Sequence, residues 1–184
     1  ACLSAFIPLV EVAALKPGQR VLIHAGAGGV GSYAVALAKK LGAEVIATCG
    51  PANMDYVASR GADRVVDYSR EDFAETVRDC DAVLDLRGGE THLRSYACLK
   101  PGGVLTYLTA APLPDGAPPR DDVRAEFKPI VQSREHLSRL ADLALKGGVR
   151  PDVSEAFPFA KGREALAQLE AGHQRGKLVL RIEA

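Results

Sequence analysis

Two hydrophobic rhythms alternate along the first part of the chain. Compact apolar runs of strand length (Arg20–Ala25, Glu44–Cys49, Arg64–Asp67, Asp81–Asp85, Val104–Thr109) are separated by stretches whose apolar residues return every three or four positions (Ser32–Leu41, Asp55–Arg60, Glu71–Asp79, Glu90–Leu99). Gly42 and Gly61 stand where helices should stop, and Lys100-Pro101-Gly102-Gly103 reads as a turn before the fifth strand. Strands that are apolar throughout are covered on both faces, and a helix between successive strands makes each step a crossover. The expected class is α/β, a doubly wound parallel sheet.

The flanks carry weaker rhythms. Leu3–Leu15 is largely apolar and predicts a short helix closed by Lys16-Pro17-Gly18-Gln19. Residues 110–122, rich in Pro, Gly and Asp, predict a surface loop, because prolines cannot donate to a ladder. Val123–Val131 has strand character with Pro129 inside it, which suits a sheet edge. Ser133 is placed to cap a helix running to Lys146 and stopped by Gly147-Gly148. Beyond it come a strand near Val153–Phe159, a helix over Lys161–Ala171 and a last strand over Leu178–Ile182. The chain thus divides into a body, residues 1–150, and a C-terminal tail, residues 151–184.

Composition removes whole classes of function. With 184 residues, 47% hydrophobic and 25% charged, the chain supports one well-buried domain with a short appendage and is not disordered. Twenty-three basic and 23 acidic residues cancel, so no net field draws in nucleic acid or an anionic membrane. The chain has no apolar run long enough to span a bilayer and no signal-like start, which reads as cytoplasmic. Cysteines at 2, 49, 80 and 98 have neither metal-like nor pairing-like spacing and are expected to be reduced thiols. The single methionine, Met54, suggests a piece of something longer.

The chemistry concentrates at Gly26-Ala27-Gly28-Gly29-Val30-Gly31, a G-x-G-x-x-G sequence between a predicted strand and the helix after it. Gly26 would permit the sharp turn, Gly28 would let the backbone approach a diphosphate, and Gly31 would let helix and strand pack closely. The helix N-terminus adds unpaired amides and a positive dipole end. A purely structural glycine turn is the bland alternative, and the strand before and helix after weigh against it. An acceptor for the adenosine ribose belongs about 20 residues further on. There the chain reads Thr48-Cys49-Gly50-Pro51, without a carboxylate. Nothing there would repel a 2′-phosphate, so NADP(H) is favoured over NAD(H) by default. Arg60 or Arg70 could supply charge, or each could be an ordinary solvated residue. His24, His92, His136 and His173 are scattered, with His24 read as a strand-end or core residue. A nicotinamide brings its own chemistry, so the lack of a catalytic constellation is compatible with an oxidoreductase.

Leu15 through Gly31, Ser59 through Tyr68, Leu99-Lys100-Pro101-Gly102-Gly103 and Gly172 through Leu180 together resemble, in order and over nearly the whole chain, the zinc-independent medium-chain dehydrogenases/reductases. The nearest group is the NADPH:quinone oxidoreductase (zeta-crystallin-like) family. The resemblance implies a Rossmann fold in which NADPH reduces a quinone or an activated carbon–carbon double bond by direct hydride transfer, without metal. It implies that the loop Gly26, Ala27, Gly28, Gly29, Val30 and Gly31 holds the pyrophosphate. It further implies that Gly50 and Tyr68 lie beside the 2′-phosphate, with Thr48 at the strand end, and that Leu108, Thr109 and Ala110 pass near the nicotinamide. Two positions depart from the family: a lysine frequent after the second strand is Ala52, and the usual Asp-Thr-Val-Gly-Gly reads Asp85-Leu86-Arg87-Gly88-Gly89.

The resemblance also implies an N-terminal catalytic domain of GroES-like fold, to which the tail normally returns. Without it, the strands around Phe157 and Val179 are expected to pair with each other, with the main sheet, or across an oligomer. The family dimerises edge to edge, which makes residues 123–131 the candidate homodimer contact. Three functions remain open: the cofactor-binding portion of an NADPH-dependent oxidoreductase with a small quinone or enone as partner, a non-catalytic NADP-binding module, and the enoyl-reductase portion of a multifunctional synthase.

Overall fold

The computed structural model describes residues 1–108, 120–172 and 174–182. Six strands, β1 (Arg20–Ile23), β2 (Glu44–Cys49), β3 (Arg64–Asp67), β4 (Cys80–Asp85), β5 (Leu99–Tyr107) and β6 (Arg124–Glu126), form one parallel sheet in the order β3-β2-β1-β4-β5-β6. The expected doubly wound architecture is present. Chain direction in the order reverses at β1, which pairs β2 on one side and β4 on the other. Open sheets of this kind bind ligands outside the carboxyl ends of the strands at such a reversal.

Burial explains why β1 sits at the centre. Val21, Leu22 and Ile23 are all fully buried, and each such side chain is worth roughly 1.5–3 kcal/mol of transfer free energy. Val21 and Ile23 join one core with α1 (Cys2–Phe6) and α2 (Gly31–Lys40), while Leu22 joins a second core with Val83, Leu105 and Phe73. The remaining helices of the body are α3 (Met54–Ser59), α4 (Phe73–Thr76), α5 (Glu90–Ser95) and α6 (Arg134–Gly147). Ser133 caps α6 by accepting from the His136 amide, and Gly148 ends it in the left-handed conformation, as the sequence predicts.

Several boundaries differ, each for a physical reason. The opening helix widens over Ile7–Val12 into i to i+5 bonding, with the Ala13 amide donating to the Pro8 carbonyl at 2.9 Å, because a proline ring inside a helix displaces the ordinary i to i−4 bond. The helix predicted over Glu71–Asp79 shrinks to α4, capped by the Asp72 side chain and ended by extended Val77. The turn predicted at Lys100–Gly103 lies inside β5: Leu99 pairs with Cys80 and Val104 with Ala82, so the turn residues bulge opposite Asp81. Of the edge segment predicted over 123–131, only β6 is strand, at the sheet margin beside β5.

In the tail, β7 (Val153–Pro158) and β8 (Lys177–Arg181) pair in parallel, with α7 (Gly162–Glu170) crossing between them. The first of the three pairings expected for these strands is the one formed. The Gly176 amide also donates to the Ala27 carbonyl at 2.9 Å, which lays the start of β8 over the glycine-rich corner. Among the described residues no helix is long and apolar enough to cross a membrane.

Candidate functional site

The corner begins where β1 ends. Ala25 takes a left-handed φ of 53°, uncommon for a residue with a side chain. Its amide donates to the Thr48 hydroxyl at 3.3 Å, and the next amide, Gly26, donates to the Thr48 carbonyl at 2.9 Å. The Gly28 amide closes back on the Ala25 carbonyl at 3.0 Å, and Ser32 starts α2 by donating to the Gly28 carbonyl at 2.8 Å.

The glycines divide the work, but the sharp turn expected of Gly26 falls on Ala25, the residue with the left-handed backbone. A Cβ on Gly31 would fall 2.1 Å from the Ala25 carbonyl oxygen, so helix and corner touch without room for an atom. On Gly26 it would press on Ala47 at 3.0 Å and Val57 at 3.2 Å, so this glycine serves approach to β2 and α3. Gly29 lies under the Lys177 side chain and the Gly176 carbonyl. Gly28 is different: its nearest neighbour would be the Ala25 carbonyl at an ordinary 3.5 Å, and the space beyond is open. A side chain fits the fold there and would fill the cradle.

Two clefts meet at this corner. The larger, about 800 Å³, runs past Ala27, Gly28 and Thr48 to Gly50 and Tyr68. The smaller, about 470 Å³, is lined by Val30, Gly31, Leu86, Leu108 and Phe127 among others. Ala25 and Gly28 line both. Of the residues singled out from the sequence, Ala27, Gly28, Thr48, Gly50 and Tyr68 border the first cleft, and Gly28, Val30, Gly31 and Leu108 border the second. Gly26 and Gly29 are packing positions beneath and behind the loop. Thr109 and Ala110 lie outside the described residues.

At the far end of the first cleft the Tyr68 hydroxyl lies against Gly50, where a Cβ would approach it to 3.0 Å. Asp67, just before it, is turned inward and accepts from the Ser69 amide at 2.9 Å and the Ser69 hydroxyl at 2.7 Å, which holds its carboxyl below the usual carboxylate range. Arg70 borders this cleft, whereas Arg60 does not: its guanidinium donates to the Ser32 and Arg150 carbonyls. Glu71 and Asp72 also face the cleft, but each is paired with an arginine, Arg64 and Arg94 respectively. Arg87 adds a further cation on the wall after β4. Phe73, Arg87 and Arg94 were not foreseen as site residues. The signal that could have found Phe73 and Arg87 is position, since they lie in the connections after β3 and β4 where such sheets bind; Arg94 sits in the last turn of α5.

Two histidines lie under the site. His24 is buried between Thr48 and Ser95, and burial pushes its pKa down to about 4, against the pull of nearby Asp85 and with the help of Arg87. His92 contacts the buried Asp85 carboxylate at 2.9 Å, and the other Asp85 oxygen accepts from the Arg87 and Gly88 amides. Neither arrangement aims a nucleophile into the cleft.

The comparisons with known proteins agree with this geometry. Residues 60–180 match the family described as zinc-binding dehydrogenase. The chain is 33% identical over 190 residues to the mitochondrial NAD(P)H oxidoreductase RTN4IP1 of Danio rerio, covering 89% of this chain and 49% of that protein. Among solved structures, the quinone oxidoreductase from Coxiella burnetii superposes with a TM-score of 0.84 at 32% identity, over 98% of this chain and 58% of that one. A mycobacterial protein solved in complex with NADPH gives a TM-score of 0.86 at 30% identity, over 98% of this chain and 62% of that one. The chain spans about half the length of the curated relatives it matches.

The metal in the family's description finds no fitting donor set among the described residues: no three His, Cys, Asp or Glu side chains gather there as a metal site. Burial pushes the Cys49 and Cys98 thiols up to about 11 and Cys80 up to about 12. The residues do fit a dinucleotide, through the side-chain-free cradle at Gly28 and the opening turn of α2, whose positive dipole end faces the corner. By its matched segment, its strand order and its glycine corner, this chain belongs to the zinc-binding dehydrogenase family.

Proposed function

We propose that this chain is the cofactor-binding part of an NADPH-dependent reductase of quinones or activated alkenes. The observation that carries the reading is the shared border of the two clefts: Ala25 and Gly28 line both, as a two-lobed ligand with a diphosphate waist requires. In this reading the diphosphate lies on Gly28 and the opening amides of α2, the adenosine half fills the larger cleft, and the nicotinamide half enters the smaller one beside Leu108 and Phe127. Bound NADPH supplies the hydride. The protein orients it and screens the waist from water through Val30 and the tail segment over Gly29. Gly50, Tyr68 and Arg70 would take the 2′-phosphate, and a relative bound to NADPH supports that choice. The chemistry proceeds without zinc, and the acceptor is a quinone or an enone; the structural likeness to a quinone oxidoreductase supports the former.

The same reading takes residues 151–184 as the tail of a catalytic portion. It makes the β6 edge, with Phe127 51% and Val131 62% exposed beside it, the contact of a homodimer in the cytoplasm. Static light scattering at high concentration checks the dimer, and a monomer would remove it.

The binding site is tested by titrating NADPH and NADH against the wild type and Gly28→Val, followed by fluorescence or calorimetry. The valine should leave the unfolding free energy within about 0.5 kcal/mol of wild type, since its Cβ meets only the Ala25 carbonyl at 3.5 Å, and weaken NADPH at least about a hundredfold by occupying the diphosphate position. Equal affinity for both coenzymes would remove the 2′-phosphate assignment, and an unaffected valine variant would remove the site.

A further inference from the structure

Beneath the glycine corner a buried line of hydrogen bonds runs from the loop into the body, and all of its members but Ser95 also border the larger cleft. Its members are Ala25, Thr48, His24, Ser95 and Thr91, and the side chains of Thr48, His24 and Ser95 are all buried.

The direction of every link is fixed by donor chemistry. Ser95 has one hydroxyl hydrogen, and the Thr91 carbonyl 2.6 Å away can only accept it. The Ser95 oxygen must therefore accept from His24 Nε2 at 2.9 Å, which carries a hydrogen. A neutral ring then has Nδ1 bare, and the Thr48 hydroxyl donates to it at 3.1 Å. With its hydrogen committed, the Thr48 oxygen offers lone pairs to the Ala25 amide at 3.3 Å. His24 is surrounded by Thr48, Ser95, the Phe73 ring at 4.6 Å, and the charges of Asp85 and Arg87. The neutral ring is the state that burial imposes there.

Ala25 is where this order matters. Its left-handed backbone is strained and persists only if its surroundings hold it. The carbonyl of the same residue is the atom on which Gly31 packs and to which the Gly28 amide donates. A Thr48 hydroxyl free to rotate could present its hydrogen, rather than a lone pair, to the Ala25 amide.

We infer that His24 is a positioning residue for the dinucleotide: fixed as its Nε2–H tautomer by Ser95, it aims the Thr48 oxygen at the Ala25 amide and so sets the corner from which the glycine loop departs. The ligand in this inference rests on the NADPH reading, whereas the relay itself does not.

The test uses the whole chain with Thr48→Val, Thr48→Ser and Ser95→Ala. Three quantities are read: NADPH affinity, hydrogen exchange at the Ala25 amide, and the tautomer of His24 from nitrogen-15 chemical shifts of labelled histidine. Thr48→Val should weaken NADPH about tenfold and expose the Ala25 amide to exchange, and Thr48→Ser should restore both. Ser95→Ala should mix the His24 tautomers and weaken NADPH by a smaller factor. A merely structural role would lower the melting temperature of Thr48→Val while leaving the affinity of the folded protein intact, and that outcome overturns the inference. So does an Nδ1–H tautomer in the wild type. Should Thr48→Val fail to fold, the tautomer and the Ser95→Ala affinity decide. Should the wild type not bind NADPH, the reading of the site fails, and the Ala25 exchange and the tautomer still judge the relay.

Discussion

Strands of similar local composition meet opposite fates in the body and in the tail. Val21, Leu22 and Ile23 of β1 are fully buried, while Val179 and Leu180 of β8 are 38% and 42% exposed. The difference is the number of covered sides. β1 has a strand on either edge and a packed core on each face; β8 has one strand partner and one helix. The tail is held to the body chiefly by polar ties: Gly176 to Ala27, Tyr56 to Asp152, and Arg175 to Asn53 and the Ala52 carbonyl. Stability therefore resides in the body, and the tail is expected to open locally at lower cost.

The largest expected effect breaks the body at its tightest point. Gly31→Ala places an atom 2.1 Å from the Ala25 carbonyl, against backbone that cannot swing aside. The cost should be about 3 kcal/mol or more, the upper end for overpacking, and the tail should be lost with the body. Urea unfolding followed by far-UV circular dichroism checks it, and a variant as stable as wild type would show that the corner yields.

Acid probes the same region more gently. His24 takes its proton near pH 6.5 when unfolded and only at about 4 in the fold, so below the first value the unfolded chain binds more protons. Stability contributed by the neutral ring is whole above pH 6.5 and drains as pH falls to 4, by on the order of 3 kcal/mol. Carboxylates held low by their partners, such as Asp67 with its bonds from Ser69, act below that window. His24→Asn should flatten the slope between the two values. An unchanged slope would place the acid sensitivity elsewhere.

Much of the body was legible because one requirement, burial on both faces, writes itself as continuous apolar runs with glycine stops. The glycine corner was legible because its sterics allow no substitute at Gly31, and its place between strand and helix follows from periodicity. What stayed hidden depends on contacts between residues far apart in the chain. The role of Arg60 was set by carbonyls at positions 32 and 150, and its distance from the cleft could not be read from position 60. Lys100–Gly103 has turn chemistry, yet it bulges inside a strand because Cys80 and Ala82 pair around it. His24 looked like a packed strand residue and is one; its ordered relay exists only because Ser95 arrives from 71 positions away.

The smallest effect sharpens the division between the regions. Asp152 ties the tail together at one residue: its carboxylate accepts from the Tyr56 hydroxyl at 2.7 Å, and its carbonyl accepts from the Lys177 amide at 2.9 Å. Gly176 passes so close that a Cβ there would lie 2.6 Å from that carbonyl. Tyr56→Phe removes one charge-assisted hydrogen bond and leaves the ring, over which Arg175 lies at 5.7 Å, in place. The site is partly open to water, so the loss should be about 1 kcal/mol, felt where the tie was made. Amides of β8 should exchange several-fold faster, while those of β1 and β4 keep their protection and the global unfolding free energy changes by less than about 0.5 kcal/mol. If protection in β1 falls in step with β8, tail and body unfold as one unit, and the polar ties carry more than their number suggests.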